Sequence, residues 1–297
     1  MRNPRKYLAP FVLTVILMFI GTFSGLARAE ISDQTEVEVG KDIVGIVIEE
    51  LMYNNIKEVD IKDLTRAAIR GMIKEINDPD AYLLTPEGYG EMLKKGQLEE
   101  GKPTVSWRDL GDDIGHIQIS FFGDTTSEEL KKALQDLKKD NIILDLRNSS
   151  GVSAVAAAEV AEDFLDIRGR VIFSLRRRPG EDTIYAASRE GTFKGHLVVL
   201  VNAKTASVAE LLAGSLQDYR RGLIVGVKTS CRGSMQRVIP LPNGGAFGHT
   251  IYHCFTPAGK DIHGNGVTPD IIIENPPTGE DLQLQKAIDV LKQKPVG

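Results

Sequence analysis

The sequence predicts an α/β core preceded by a helical segment. Two observations carry this. From Ile114 onward, short apolar strands alternate with helical stretches, the pattern of an α/β layer architecture. Before that point, apolar residues recur at three- and four-residue spacing, which is helical periodicity. At 297 residues, with 42% apolar and 26% charged, the chain can form one large domain or two modest ones.

Arg2, Arg5 and Lys6 precede an apolar run from Leu8 to Ala27, and Ala27-Arg28-Ala29 has small residues where a signal peptidase reads. Residues 1–29 therefore read as a secretory signal cleaved after Ala29. The apolar run is just long enough to span a bilayer, so an uncleaved anchor is the alternative. Region 30–92 reads as helical. Ile43, Val44, Val47, Ile48 and Leu51 share helix spacing, and Asp60-Ile61-Lys62-Asp63 opens a second helix that Asn77-Asp78-Pro79-Asp80 breaks. Residues 93–112 are polar and broken by Gly and Pro, which reads as a linker.

The core is read over 113–270. Its strands are Ile114–Ser120, Asn141–Arg147, Val171–Leu175, His196–Val201, Leu223–Val227 and Met235–Ile239. Its helices are Ser127–Leu137, Val152–Leu165 and one that opens at Ser207. Residues 271–297 add a short strand and a helix over Asp281–Leu291.

Beyond residue 29 the chain keeps 32 basic against 41 acidic residues, a net of −9. An acidic exported chain is a poor nucleic-acid binder. Five histidines are scattered without zinc-ligand spacing, and there is no phosphate loop, so neither metal nor cofactor is expected. Cys231 and Cys254 form an even pair that an oxidising compartment would join as a disulfide.

Four segments carry a resemblance. Val201-Asn202-Ala203-Lys204-Thr205-Ala206-Ser207-Val208-Ala209-Glu210 leads a strand into a helix at a serine, and Thr229-Ser230-Cys231-Arg232-Gly233 follows. Asp145-Leu146-Arg147-Asn148-Ser149-Ser150-Gly151-Val152 lies upstream, and Phe255-Thr256-Pro257-Ala258-Gly259 through Pro269-Asp270 lies downstream. Together they resemble the C-terminal processing, or tail-specific, serine proteases. The resemblance implies a ClpP/crotonase-like core of ββα turns, export to a bacterial periplasm or cell envelope, and action on protein or peptide C-terminal tails. Familiar members insert a PDZ domain near here, which needs roughly 80–100 residues. Only 27 residues lie between Pro86 and Ile114. A PDZ-less member is implied, with an adaptor protein as the partner that would replace that domain.

The resemblance makes Ser207 the nucleophile and the N–H groups of Val208 and Gly151 the oxyanion donors. Asp218, Gln236 and Glu210 become supporting groups. The family's general base is a lysine 25 residues after the serine, and here that position is Arg232. A serine hydroxyl needs a base to take its proton, and a guanidinium stays protonated. Three readings stay open. The chain is a pseudo-protease that binds tails, with Arg232 pairing a peptide carboxylate. Or it is an active endopeptidase with Lys228, His249, His253 or His263 as base. Or it is an assembly protein that reuses the fold. Read alone, Ser207 is a helix cap before it is a nucleophile, and Ser149 or Ser150 would cap the helix after the Asp145 turn.

Overall fold

The computed structural model describes residues 33–99, 102–177 and 180–293. The signal sequence read over residues 1–29 lies outside them. The chain divides into two compact units, residues 1–72 and 73–297. The first carries helix α1 (Asp33–Asn54) and most of α2 (Ile61–Ile76). No described helix is long and apolar enough to cross a membrane.

The second unit is built on a six-stranded sheet. Its strands are β2 (Val105–Asp109), β3 (Ile114–Ile119), β5 (Asn141–Asp145), β9 (His196–Val201), β10 (Leu223–Gly226) and β13 (Ile271–Ile272), in the order β13-β10-β9-β5-β3-β2. All neighbours are parallel except β2, which pairs antiparallel at the edge. Parallel strands covered on both faces read as unbroken apolar runs. Accordingly all five residues of β5 are buried.

Side chains alternate across the sheet. Leu197, Val199 and Val201 face one core with α4 (Thr126–Leu137), α5 (Ala154–Phe164) and α6 (Val208–Asp218). Val198 and Leu200 face a smaller core closed by Ala287 and Leu291 of α7 (Leu282–Lys292). This is the mixed α/β architecture that the alternation predicts.

A second sheet joins β1 (Tyr82–Leu84), β12 (Ala246–Phe255), β7 (Val171–Arg176) and β8 (Asp182–Ala186), with β11 (Ser234–Pro240) paired to β12. A two-stranded parallel ribbon, β4 (Phe121–Phe122) with β6 (Ser150–Gly151), completes the unit.

The linker reading of 93–112 is corrected. Helix α3 (Pro86–Glu99) runs into its start, and β2 occupies its end. Strand β2 shows one edge to solvent, so only Val105 is buried and its composition is polar. The Glu129 carboxylate accepts the N–H groups of Thr104 and Val105 at 2.7 and 2.9 Å, fixing the strand to α4. The core sheet thus begins at Val105, before residue 113. The cap of α5 is Ser153, whose hydroxyl oxygen accepts the Ala156 N–H at 3.2 Å, and neither Ser149 nor Ser150. Strand β8 lies outside the strands that the sequence predicts.

Candidate active site

Parallel strands end on one side of their sheet, and the loops that leave their carboxyl ends meet there. The loop after β5 (146–149), the turn after β9 (202–207) and the turn after β10 (227–233) converge. Thr205 Oγ donates to the Leu146 carbonyl at 2.8 Å, the Ala206 N–H to Ser149 O at 2.9 Å, and the Ser230 N–H to Thr205 O at 3.0 Å. Gly151 admits no side chain, because a Cβ there would lie 2.5 Å from that of Phe122. Val152 is not in the left-handed region; Asn148, at φ 59°, takes that conformation instead. Asn is among the residues that tolerate it, so the valine costs the turn no backbone strain.

Ser207 stands at φ 58° and ψ −127°. A side chain with a Cβ rarely adopts this conformation, and it costs about 1–3 kcal/mol. An ordinary cap is extended and needs no such strain. The hydroxyl donates to the Gly151 carbonyl at 3.3 Å. The adjacent Val208 N–H has no hydrogen-bond partner among the described residues.

Glu210, one turn along α6 and fully buried, organises the site. Its Oε2 accepts the N–H groups of Ser207 and Arg232, each at 3.0 Å, and the Ser230 hydroxyl at 3.1 Å. Its Oε1 accepts the Cys231 N–H at 2.9 Å and the Thr229 hydroxyl. Cys231, like Ser207, has a positive φ, 62°. One carboxylate therefore holds two strained residues and ties the Arg232 turn to the serine. Burial pushes its pKa up, and hydrogen bonds from Thr229, Cys231, Ser230 and Ser207 pull it back without cancelling the rise.

Ser207 N and Arg232 N share one oxygen, so they lie within twice the hydrogen-bond length of each other. The Arg232 side chain is exposed. Its guanidinium makes no hydrogen bond or ion pair among the described residues.

The other predicted residues make no hydrogen bond to the Ser207 hydroxyl among the described residues. Asp218 ends α6, eleven residues from Ser207, or about 16 Å along the axis. It receives the Lys260 ammonium at 2.7 Å and the Ala258 N–H at 3.0 Å, and the structure does not bring it to the serine. Gln236 donates to the Asp80 carbonyl at 3.1 Å. His249 stacks on Phe247 with ring centroids 5.2 Å apart. His253 Nδ1 faces Asp261 at 3.3 Å, and its ring lies 4.6 Å from that of His263. His263 Nδ1 in turn faces Asp80 at 3.8 Å. Lys228 is exposed. None of these four candidate bases hydrogen-bonds the Ser207 hydroxyl.

The disulfide expectation is also corrected, since both cysteines are free. Cys254 is buried in the main core, and Cys231 directs its thiol to the Thr229 carbonyl at 3.5 Å. No group of three or more His, Cys, Asp or Glu side chains among the described residues is placed to hold a metal ion.

Sequence reasoning missed a second charged network at the same loops. Asp145 accepts from Arg147 at 2.6 and 2.9 Å and pairs with His116 at 3.1 Å, while Arg147 reaches Asp281 at 2.7 Å. The available signal was an aspartate ending an otherwise apolar buried strand. A cavity of about 790 Å³ opens beside it, lined in part by Arg147, Asn148, Asn202, Lys204 and Gln283.

Residues 113–273, more than half of the chain, match the family model described as peptidase family S41. The chain belongs to peptidase family S41. It is 36% identical over 193 residues to a carboxyl-terminal-processing protease of Picosynechococcus, covering 62% of this chain and 46% of that protein. A carboxy-terminal-processing protease of Bartonella bacilliformis is 31% identical over 285 residues, covering 83% and 64%. Among solved structures, the photosystem II D1 C-terminal processing protease superposes with a TM-score of 0.51 at 30% identity, over 58% of this chain and 48% of that one. A lipoprotein from Streptococcus agalactiae reaches a TM-score of 0.58 at 18% identity, covering 84% and 88%, a likeness of fold alone. The chain spans about half the length of the curated relatives it matches. By sequence and fold it is a protein of the C-terminal-processing-peptidase type.

Proposed function

We propose that this S41 protein binds protein or peptide C-terminal tails and is impaired in cutting them. One observation carries the reading: the strained Ser207 has no base on its hydroxyl, and the turn that would supply one supplies a guanidinium. Holding an arginine neutral near pH 7 means lowering its pKa by about five units, at roughly 1.4 kcal/mol per unit. An exposed side chain offers no burial to meet that cost. Ser207 is read as the nucleophile and the Val208 and Gly151 N–H groups as oxyanion donors, a reading that the strained serine and the unpartnered Val208 N–H support. In this reading the protein is exported, carries no PDZ domain between Pro86 and Ile114, and relies on an adaptor to select its targets.

The strain at Ser207 favours one second reading, an active endopeptidase in which His253, His263, His249 or Lys228 moves to the serine when substrate binds. Incubating the chain with unfolded protein and tailed peptides, beside Ser207→Ala and Arg232→Lys, separates the two. The impaired reading expects an inert wild type and Ser207-dependent cleavage by Arg232→Lys. Rapid cleavage by wild type that Ser207→Ala abolishes would overturn it.

A further inference from the structure

The turn that leads to Ser207 leaves β9 at Val201, and a separate cavity of about 480 Å³ opens at the other end of that strand, from His196. Its walls come from the starts of β9 and β10, the turn after α6, and α7. Leu197, Val198, Leu223 and Leu291 give it apolar surface, and Arg220 and Arg221 bring two guanidinium groups to it.

Arg221 is half-buried and has no carboxylate partner among the described residues. Its Nε donates to the Phe164 carbonyl at 2.6 Å, and its Nη2 to the Phe193 and Gly195 carbonyls at 3.0 and 2.8 Å. Its Nη1 makes no hydrogen bond among the described residues and is not sealed from solvent. Other arginines of this acidic chain behave differently: Arg66, Arg147, Arg176, Arg177 and Arg189 are each paired to a carboxylate. Burial lowers the Arg221 pKa, with no opposing charge to offset it. A charge taken from water in this way calls for a counter-ion.

Arg220 is the second, independent observation. It follows the end of α6 at φ 52°. There its N–H donates to the Gln217 carbonyl and the Arg221 N–H to the Leu216 carbonyl, each at 2.9 Å. Glycine is the usual residue at such a left-handed helix end, because a Cβ is strained there. The chain instead holds an exposed arginine whose side chain has no ion pair or hydrogen bond among the described residues. Asp270 supplies the lining's carboxylate, but its Oδ1 accepts the Gln217 amide at 2.9 Å and its Oδ2 the Ile224 N–H at 2.8 Å. It pairs with neither arginine.

We infer that this cavity binds a small organic monoanion, a carboxylate on a short apolar body, with Arg220 and the Arg221 Nη1 on the carboxylate and the leucines against the body. Two guanidinium groups suit a carboxylate by charge-assisted hydrogen bonds. A bare phosphate needs donors around all its oxygens, and the apolar side chains supply none. The site uses neither Ser207 nor Arg232, so it stands apart from the tail-binding reading. A cation at the end of α6 also suits the helix dipole, a role that needs no ligand, and the experiment separates the two.

The isotope-labelled full chain is titrated with hexanoate, with hexan-1-ol and with inorganic phosphate, and binding is followed by amide chemical shifts. Wild type should bind hexanoate with shifts centred on residues 220–223 and 290–291. It should bind hexanol and phosphate roughly tenfold or more weakly, the scale of one charge-assisted contact. Arg220→Gly removes the guanidinium and relieves the positive φ, so it should melt no lower than wild type while hexanoate binding weakens roughly tenfold. Arg220→Lys should keep part of the affinity. Leu223→Asp, at a partly exposed site, should weaken hexanoate binding from the apolar side and serves if the glycine variant fails to fold. Equal binding of hexanoate and hexanol, phosphate bound as tightly as hexanoate, or shifts elsewhere in the chain would overturn the inference. So would hexanoate binding that Arg220→Gly leaves unchanged, which would reduce Arg220 to a partner of the helix dipole.

Discussion

Arg147 and Arg232 sit at the ends of neighbouring loops, each beside a buried carboxylate, and they do opposite things. Arg147 spends its guanidinium inside the protein. Its side chain is 13% exposed and joins Asp145 to Asp281, linking the end of β5 to the start of α7. Arg232 gives Glu210 only its backbone N–H and leaves the guanidinium in solvent. The Glu210 carboxylate is filled by five donors, three of them backbone N–H groups. A carboxylate filled in this way has no need of a cation, so the arginine beside it stays available. An arginine's role follows from what already satisfies its neighbouring carboxylate.

Arg147→Met leaves Asp145 buried without its cation, and removing one partner of a buried pair costs about 3–5 kcal/mol. Urea unfolding should show that loss, and a variant as stable as wild type would mean that Arg147 is as free as Arg232.

The pH dependence sharpens the same point. Burial pushes the Asp145 carboxyl up, but hydrogen bonds from His116 and Arg147 and the charge of Arg147 hold it below its ordinary value. At Asp281, burial is likewise outweighed by Arg147, the Leu284 N–H and Asn275, which hold it at about 2. For a carboxyl with a depressed folded pKa, stability is present above the unfolded value and lost as pH falls through the folded one. Wild type should therefore lose this contribution between about pH 4, the ordinary aspartate value, and pH 2. Arg147→Met, which lacks most of the depression, should show a flatter acid limb. Parallel limbs in the two proteins would detach Arg147 from these aspartates.

Glu210→Gln should have the next largest effect. An amide offers one acceptor oxygen where the carboxylate offers two, and it turns N–H groups toward backbone donors. At least one buried N–H loses its partner, at about 1–3 kcal/mol. The strained turns at Ser207 and Cys231 should relax with it, so peptide affinity should fall along with thermal stability. A stable variant with unchanged affinity would show that Glu210 does not position the site.

Much of this was legible before the structure. The apolar runs of β5 and β9 announce a sheet covered on both faces, and the serine, Arg232 and Gly151 segments are local in sequence. What escaped is long-range or edge-bound. Strand β2 shows one edge to water, so its composition resembles a loop. Asp281 and Arg147 meet across 134 residues that no periodicity connects. The supporting role read into Asp218 fails on helix geometry, because eleven residues of rise carry it away from Ser207. Glu210 was read as a supporting group, but its count of donors depends on a turn some twenty residues away, folded back over the helix.

The smallest effect belongs to Arg232→Ala, and it tests the other half of the comparison. Alanine keeps the backbone N–H that Glu210 accepts, so the turn retains its tie to Ser207. It removes only a guanidinium that no described group engages. The stability change should stay within about 0.5 kcal/mol, as for surface substitutions away from special features, while affinity for tailed peptides falls. A loss of stability approaching that of Arg147→Met would mean that the Arg232 guanidinium has a structural partner. It would then be a brace like Arg147.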